Sequence, residues 1–319
     1  MKKTYEFKSV LCTEINDYLE FREKQGYKTD ETRRVLYDLD SFLCEEDIRS
    51  TVIPYENIEK WIQKLSKRLC TNSQCAYIAH YDGFRKYLIS RGINIIPIES
   101  PINRTEYEAY VFSYEEIDTL LKTCDDNYCT FGTENWAKFS ILLRIIYSTG
   151  LRISEALNLK KEDICLDKGY FIIKDSKSGS NRIVPYDKSF DTIIARYSET
   201  YDNSDYLFSA RSGKPYSSRW AQLMFKDLLH ISGINLNMPS SHSKKGFSVH
   251  CLRHTFAVHS FRQLIKEGKD MYDQMPLLSF YMGHKNVLGT EIYMHKADII
   301  DSDIIKIMDE FNKELFPEV

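Results

Sequence analysis

The sequence predicts a mainly α protein with a small β-sheet (α+β), divided into a helical N-terminal domain at residues 1–104 and a larger mixed α/β domain at residues 105–319. Three observations carry that expectation. Apolar residues recur at spacings of three and four over most of the 319 residues, the period of an amphipathic helix. The stretch from Ile93 to Arg104 holds Pro97 and Pro101, which forbid a continuous helix and favour an extended connection, and so marks the domain boundary. Between Tyr170 and Tyr186 the pattern changes to Tyr170-Phe171-Ile172-Ile173, a polar turn, and Ile183-Val184-Pro185, which reads as a β-hairpin. A chain of this length suits two domains and leaves no room for a third of ordinary size.

In the first domain, helices are predicted near residues 10–24, 31–43, 55–65 and 72–90, the second with Leu36, Leu39 and Leu43 on one face. Asp30 and Thr71 stand where N-caps belong, and Gly92 after Arg91 is a stop for the fourth helix. The result is a small helical bundle. The second domain opens at Ser113, where Ser113-Tyr114-Glu115-Glu116 matches a capping box and Ile117, Leu120 and Leu121 form the apolar face behind it. Further helices are predicted near 136–148 and 154–159, followed by the hairpin and by helices from the Ser217/Ser218 caps onward. Near the end, Ile304, Met308, Phe311 and Leu315 form one apolar stripe on a predicted helix at 301–315, a face that must be buried somewhere.

Composition narrows the function classes. Hydrophobic residues make up 43% and charged residues 28%, and no apolar run approaches the length that spans a bilayer, so a membrane protein is not expected. The N-terminus lacks the apolar stretch and small-residue cleavage site of a secretory signal, which makes a cytoplasmic location the expectation. Eight cysteines are scattered without the paired spacing of a structural zinc site and are read as reduced thiols, so neither a metal nor a cofactor is predicted. The net charge of −3 argues mildly against a nucleic-acid partner, but a phosphate-binding surface needs only a local positive patch, which acidic residues elsewhere can cancel in the sum.

Four islands stand apart from the packing pattern. In Thr149-Gly150-Leu151-Arg152-Ile153-Ser154-Glu155, Gly150 ends one helix and Ser154 can open the next, which leaves Arg152 on an exposed junction. Lys177-Ser178-Gly179-Ser180-Asn181-Arg182-Ile183-Val184-Pro185 is a hairpin tip carrying a lysine. In His250-Cys251-Leu252-Arg253-His254-Thr255-Phe256-Ala257, helical spacing puts His250 and Arg253 on one face. The last is Gly283-His284, followed by Thr290-Glu291-Ile292-Tyr293. Each island alone reads as ordinary structure: one tyrosine among 22 is most often packing.

In their order and spacing, however, the islands resemble the signature boxes of the tyrosine recombinase or phage integrase family, over residues from about Ser113 to Tyr293. The N-terminal helices resemble that family's core-binding, SAM-like domain only as a type. The resemblance implies site-specific recombination of double-stranded DNA, with Arg152, Lys177, His250, Arg253, His284 and Tyr293 as the active site and Glu155 supporting it from behind. The chemistry explains these residue types. A phosphodiester under attack gains negative charge on its non-bridging oxygens, which two always-charged arginines can fork onto. His284 would add a further hydrogen bond. A tyrosine nucleophile, with an ordinary pKa of about 10, must lose its proton during attack, and His250 is the implied base. Lys177 is the implied acid for the departing 5′ oxygen, with Lys174 the alternative. Tyr281 is the nearest decoy for the nucleophile.

The same resemblance implies a tetramer on DNA coupled through the 301–315 helix, and no metal or ATP. Candidate DNA contacts are Arg33, Arg34, Lys64, Arg211, Arg219, Lys244 and Lys245, each of which reads equally well as ordinary surface charge. The segment between Arg253 and His284 is longer than in simple chromosome-dimer resolvases, which points towards recombinases of mobile elements. A type IB topoisomerase-like enzyme and a catalytically silent DNA-binding paralogue are the rival readings.

Overall fold

The computed structural model describes residues 5–93, 110–131, 134–174, 181–200, 204–234, 247–284, 286–287, 289–291 and 293. The chain divides into two compact units, Met1–Glu106 and Tyr107–Val319. In the first, α1 (Cys12–Lys24), α2 (Asp30–Glu45), α3 (Tyr55–Ser66) and α4 (Thr71–Ser90) form a bundle. Leu11, Ile15, Leu36, Leu39, Trp61, Phe84 and Leu88 are fully buried in its core, each such side chain contributing about 1.5–3 kcal/mol of transfer free energy. Buried Asp40 accepts the backbone N–H groups of Lys8 and Ser9, both at 2.9 Å, and so ties the chain ahead of α1 to α2. The helix starts differ by one residue from the sequence expectation. Thr29 and Cys70 occupy the cap positions without side-chain caps, and Asp30 and Thr71 are already helical. Asp30 in the first turn still favours the helix through its dipole.

In the second unit the Ser113 capping box forms: Ser113 Oγ accepts the Glu116 N–H at 3.1 Å and Glu116 Oε2 accepts the Ser113 N–H at 2.8 Å. It opens α5 (Tyr114–Phe131), followed by α6 (Glu134–Thr149) and the short α7 (Ile153–Leu157). Helix α6 buries Phe139, Leu142, Leu143, Ile145 and Ile146, more than one face, because α5 and the later helix His250–Lys266 both pack on it. Three antiparallel strands follow in the order β1 (Ile164–Cys165), β2 (Tyr170–Ile173), β3 (Arg182–Pro185), with Ile173 paired to Arg182. The β1 strand was not predicted, since two residues are too short to show alternation. Then come α8 (Ser189–Thr200), α9 (Ser218–Ile231, capped by Ser217), α10 (His250–Lys266) and α11 (Met271–Met282, capped by Asp270).

Among the described residues no helix is long and apolar enough to cross a membrane. Cys75, Cys124 and Cys251 are buried thiols.

Candidate active site

The end of α11 gathers three arginines from three distant elements. Arg182 from β3 donates Nε–H to the carbonyl of Tyr281 at 2.9 Å, Arg253 from α10 donates to that of Met282 at 2.8 Å, and Arg152 ahead of α7 donates to that of Gly283 at 2.6 Å. The last carbonyls of a helix have no intrahelical partner and carry its negative dipole end, which suits cations. Arg253 is 1% exposed and bonds the Gly150 carbonyl at 2.6 Å as well. Gly150 has φ +61, and a Cβ there would lie 2.3 Å from the Phe256 ring. A side chain would therefore displace the carbonyl that holds Arg253.

Glu155 binds the cluster together. Its Oε1 accepts from Arg152 at 2.8 Å and from Arg182 at 3.0 Å, and its Oε2 accepts from Arg182 and from the Arg152 backbone N–H, at 2.8 and 2.9 Å. Burial pushes the Glu155 carboxyl up, but the bonds from Arg182 and Arg152 outweigh it and hold the group below the usual carboxylate range. Burial, with Arg152 nearby, lowers Arg253 to about 10, so it stays charged at neutral pH. Three guanidiniums and one carboxylate leave an excess of two positive charges.

Against these cations lies a run of rings. His250 and His254 have centroids 4.6 Å apart, His254 and Tyr293 5.3 Å, and Tyr293 and His284 6.0 Å. Tyr293 is 5% exposed and packs with Ala257, Val258, Phe261, Leu278 and Met282. Burial raises its phenol above the ordinary value, while Arg253 and Arg152 pull it back, so both cations act on this oxygen. Burial lowers His284 to about 4, with Arg253, Arg152 and Arg182 adding to the effect, which makes it neutral at pH 7. Its Nδ1 shares a 2.7 Å hydrogen bond with Thr290 Oγ1, and Thr290 is fully buried. When the hydroxyl donates, the ring proton sits on Nε2, where it can serve an anion.

The structure thus brings Arg152, Glu155, Arg253, His284 and Tyr293 together. One expectation needs correction. Arg152 is not exposed: its side chain is 20% accessible because Glu155 and the Gly283 carbonyl draw it inward. His250 and Arg253 share α10 and both act on His284, His250 from an exposed place at the helix start and Arg253 from inside, where it reaches Gly150 and Met282. Lys177, Lys244, Lys245 and the 301–315 helix lie outside the described residues. Lys174 pairs with Asp163 and Glu162. Tyr281 donates its hydroxyl to the Pro185 carbonyl at 3.1 Å, a bond that occupies the decoy. Arg33, Arg34 and Lys64 pair on the surface with Glu23, Glu31 and Glu45, and Arg211 and Arg219 are exposed.

Arg182 and Thr290 join the site without standing out in the sequence. The signal for Arg182 was a charged residue at an inward position of an alternating strand, where Val184 is also buried and Ile183 is 58% exposed. Thr290 carried no signal beyond its nearness to Tyr293. Among the described residues no group of three or more His, Cys, Asp or Glu is arranged to hold a metal ion.

Over residues 111–299 the sequence matches the phage integrase family. The chain belongs to that family, the tyrosine recombinases, which cleave and rejoin DNA strands in site-specific recombination. It is 27% identical over 314 residues to the tyrosine recombinase XerD of Listeria innocua, covering 92% of this chain and 97% of that one. In fold it is similar to the XerH site-specific recombinase bound to difH substrate in a pre-cleavage complex, with a TM-score of 0.68, 15% identity, and coverage of 92% and 96%. It is likewise similar to the Tn1549 transposon integrase in complex with a circular intermediate DNA, with a TM-score of 0.65, 16% identity, and coverage of 88% and 94%. Family membership favours recombination over the topoisomerase-like and silent alternatives.

Proposed function

We propose that the chain cuts double-stranded DNA at specific recombination sites through Tyr293. The phenolic oxygen attacks a backbone phosphorus, the bond to the 5′ oxygen breaks, and a 3′-phosphotyrosyl linkage and a free 5′-hydroxyl result. A 5′-hydroxyl of another strand reverses the step and completes exchange, because the linkage retains the energy of the phosphodiester. Arg152 and Arg253 hold the non-bridging oxygens. Each guanidinium has five N–H donors and uses two of them in the bonds described above, so donors remain for a phosphate. His284 donates from Nε2, His250 takes the phenolic proton, and Lys177 protonates the leaving oxygen.

The observation that carries this reading is the grip of Arg152 and Arg253 on the end of α11, where Tyr293 packs with Met282. Two fixed cations beside a phenol suit a reaction in which charge grows on one phosphate. Arg33, Arg34, Lys64, Arg211, Arg219, Lys244 and Lys245 are proposed to contact the DNA backbone, where basic side chains fix register on the duplex. The apolar stripe at 301–315 is proposed to couple subunits of a tetramer on DNA. The long segment between Arg253 and His284 supports a role in integration or excision of a mobile element.

Replacing Tyr293 by Phe tests the core of the proposal. Incubation with a random library of nicked duplexes, which trap the cleaved strand, gives a covalent adduct with the wild type and none with the variant, while duplex binding stays within about threefold because a single hydroxyl is worth little in such an interface. An adduct that persists reassigns the nucleophile.

A further inference from the structure

We infer that Arg182 is a positioning residue of the cleavage site: it balances the charge of Glu155 so that Arg152 remains available to a phosphate, and it fixes the α11 end on which the other two guanidiniums rest. The inference depends on the strand-cleavage reading above.

Its side chain is 3% exposed, at a strand position where a branched apolar residue would satisfy the packing. A buried cation costs several kcal/mol unless it is paired and hydrogen-bonded. Here all three nitrogens are engaged: two reach the two oxygens of Glu155, and Nε–H reaches the Tyr281 carbonyl. Glu155 also holds Arg152. With Arg182 gone, the full charge of that buried carboxylate falls on Arg152 alone and competes with the phosphate for it. The neighbouring loop is shaped around the same guanidinium. Gly283 has φ +70, and a Cβ there would stand 2.9 Å from the Arg182 guanidinium carbon. Gly283 in turn supplies the carbonyl for Arg152 and leads directly into His284. Arg182 thereby acts on the reaction through Glu155 and Gly283 rather than by touching DNA.

The test uses the full chain and a nicked duplex of the sequence that the wild type traps from the library. Covalent adduct formation in a single turnover, duplex binding and thermal melting are compared for the wild type, Arg182→Gln, Arg182→Lys and the double variant Glu155→Gln/Arg182→Gln. Arg182→Gln slows adduct formation by about 100-fold, the scale of losing one preorganised electrostatic contact, with binding changed by no more than about threefold. Arg182→Lys recovers about tenfold of that loss by restoring the charge. The double variant, which removes the unbalanced carboxylate together with its cation, is faster than Arg182→Gln by about tenfold. An arginine that is only scaffolding gives a double variant no faster than the single, and that result overturns the inference, as does a wild-type rate for Arg182→Gln. Where Arg182→Gln does not fold, Arg182→Lys decides: a slowed rate at unchanged binding supports the inference and a wild-type rate overturns it. Failure of the wild type to form any adduct would instead remove the cleavage reading itself.

Discussion

On one side of the site, Arg152, Arg182 and Arg253 are each fixed by two or more hydrogen bonds to backbone carbonyls or to Glu155; on the other, Tyr293 is held by ring packing against His254 and His284 and by a small apolar cluster. The contrast suits what the proposed reaction asks of each side. Cations that meet growing charge work best when they are already in place and need no reorganisation. A nucleophile must give up a proton and be presented to a phosphorus atom, so shelter with few directional bonds suits it. The cationic side also keeps its charges across the working pH range, with Arg253 at about 10 and Glu155 held low, whereas His284 at about 4 makes the ring side the one that acid changes.

The largest effect expected from breaking this contrast comes from Arg253→Met. It removes a proposed phosphate ligand and takes from the buried carbonyls of Gly150 and Met282 the guanidinium they bind. Cleavage falls by roughly 10²–10³-fold, and stability falls by about 1–3 kcal/mol for each orphaned acceptor. Single-turnover adduct formation and denaturant unfolding check the two parts separately.

An intermediate effect comes from acid. His284 and buried His259 both have folded values of about 4, below the ordinary histidine value of 6.5. Below about 6.5 the unfolded chain therefore takes up protons that the folded chain refuses. Their contribution to stability is complete above about 6.5, declines as pH falls towards about 4, and levels off below that. Glu155, also held low, adds to the loss only at still lower pH. His259→Asn keeps a partner for the Tyr147 hydroxyl, which lies 2.9 Å from Nδ1, and His284→Gln removes the second proton site. Unfolding midpoints measured between pH 7 and 5 show a shallower slope for each variant than for the wild type, and an unchanged slope in both would refute the assignment.

The smallest effect is that of Thr290→Val. It keeps the buried volume but removes the hydroxyl that sets the proton position on His284. Adduct formation slows by about tenfold, the equivalent of roughly one hydrogen bond, with binding and melting temperature nearly unchanged. An equal loss in the His284→Gln background would show that Thr290 does not act through the ring.

Much of this was legible from local pattern. The 113–116 capping box, the hairpin at 170–186 and the helical first unit follow from short-range spacing, and they form as read. The order of the islands likewise singles out Arg152, Glu155, Arg253, His284 and Tyr293, which the structure brings together. What the pattern could not give was the means of their convergence. The bonds from Arg152 to Gly283, Arg253 to Gly150 and Arg182 to Tyr281 span 131, 103 and 99 residues, far beyond any periodicity. Arg182 stands in the sequence only as part of the hairpin that carries Lys177, because a strand pattern says which side a residue faces and nothing about the carboxylate waiting there. Arg152 was read as exposed for the same reason: its junction is short, and the groups that draw it inward come from elsewhere in the chain.

The shared seat of the three arginines makes the register of α11 a single point of vulnerability. Successive carbonyls around a helix are turned by about 100° from one another. Inserting or deleting one residue within Met271–Met282 would swing all three acceptors away from their guanidiniums together, so the helix tolerates substitution on its outer side far better than any change in length.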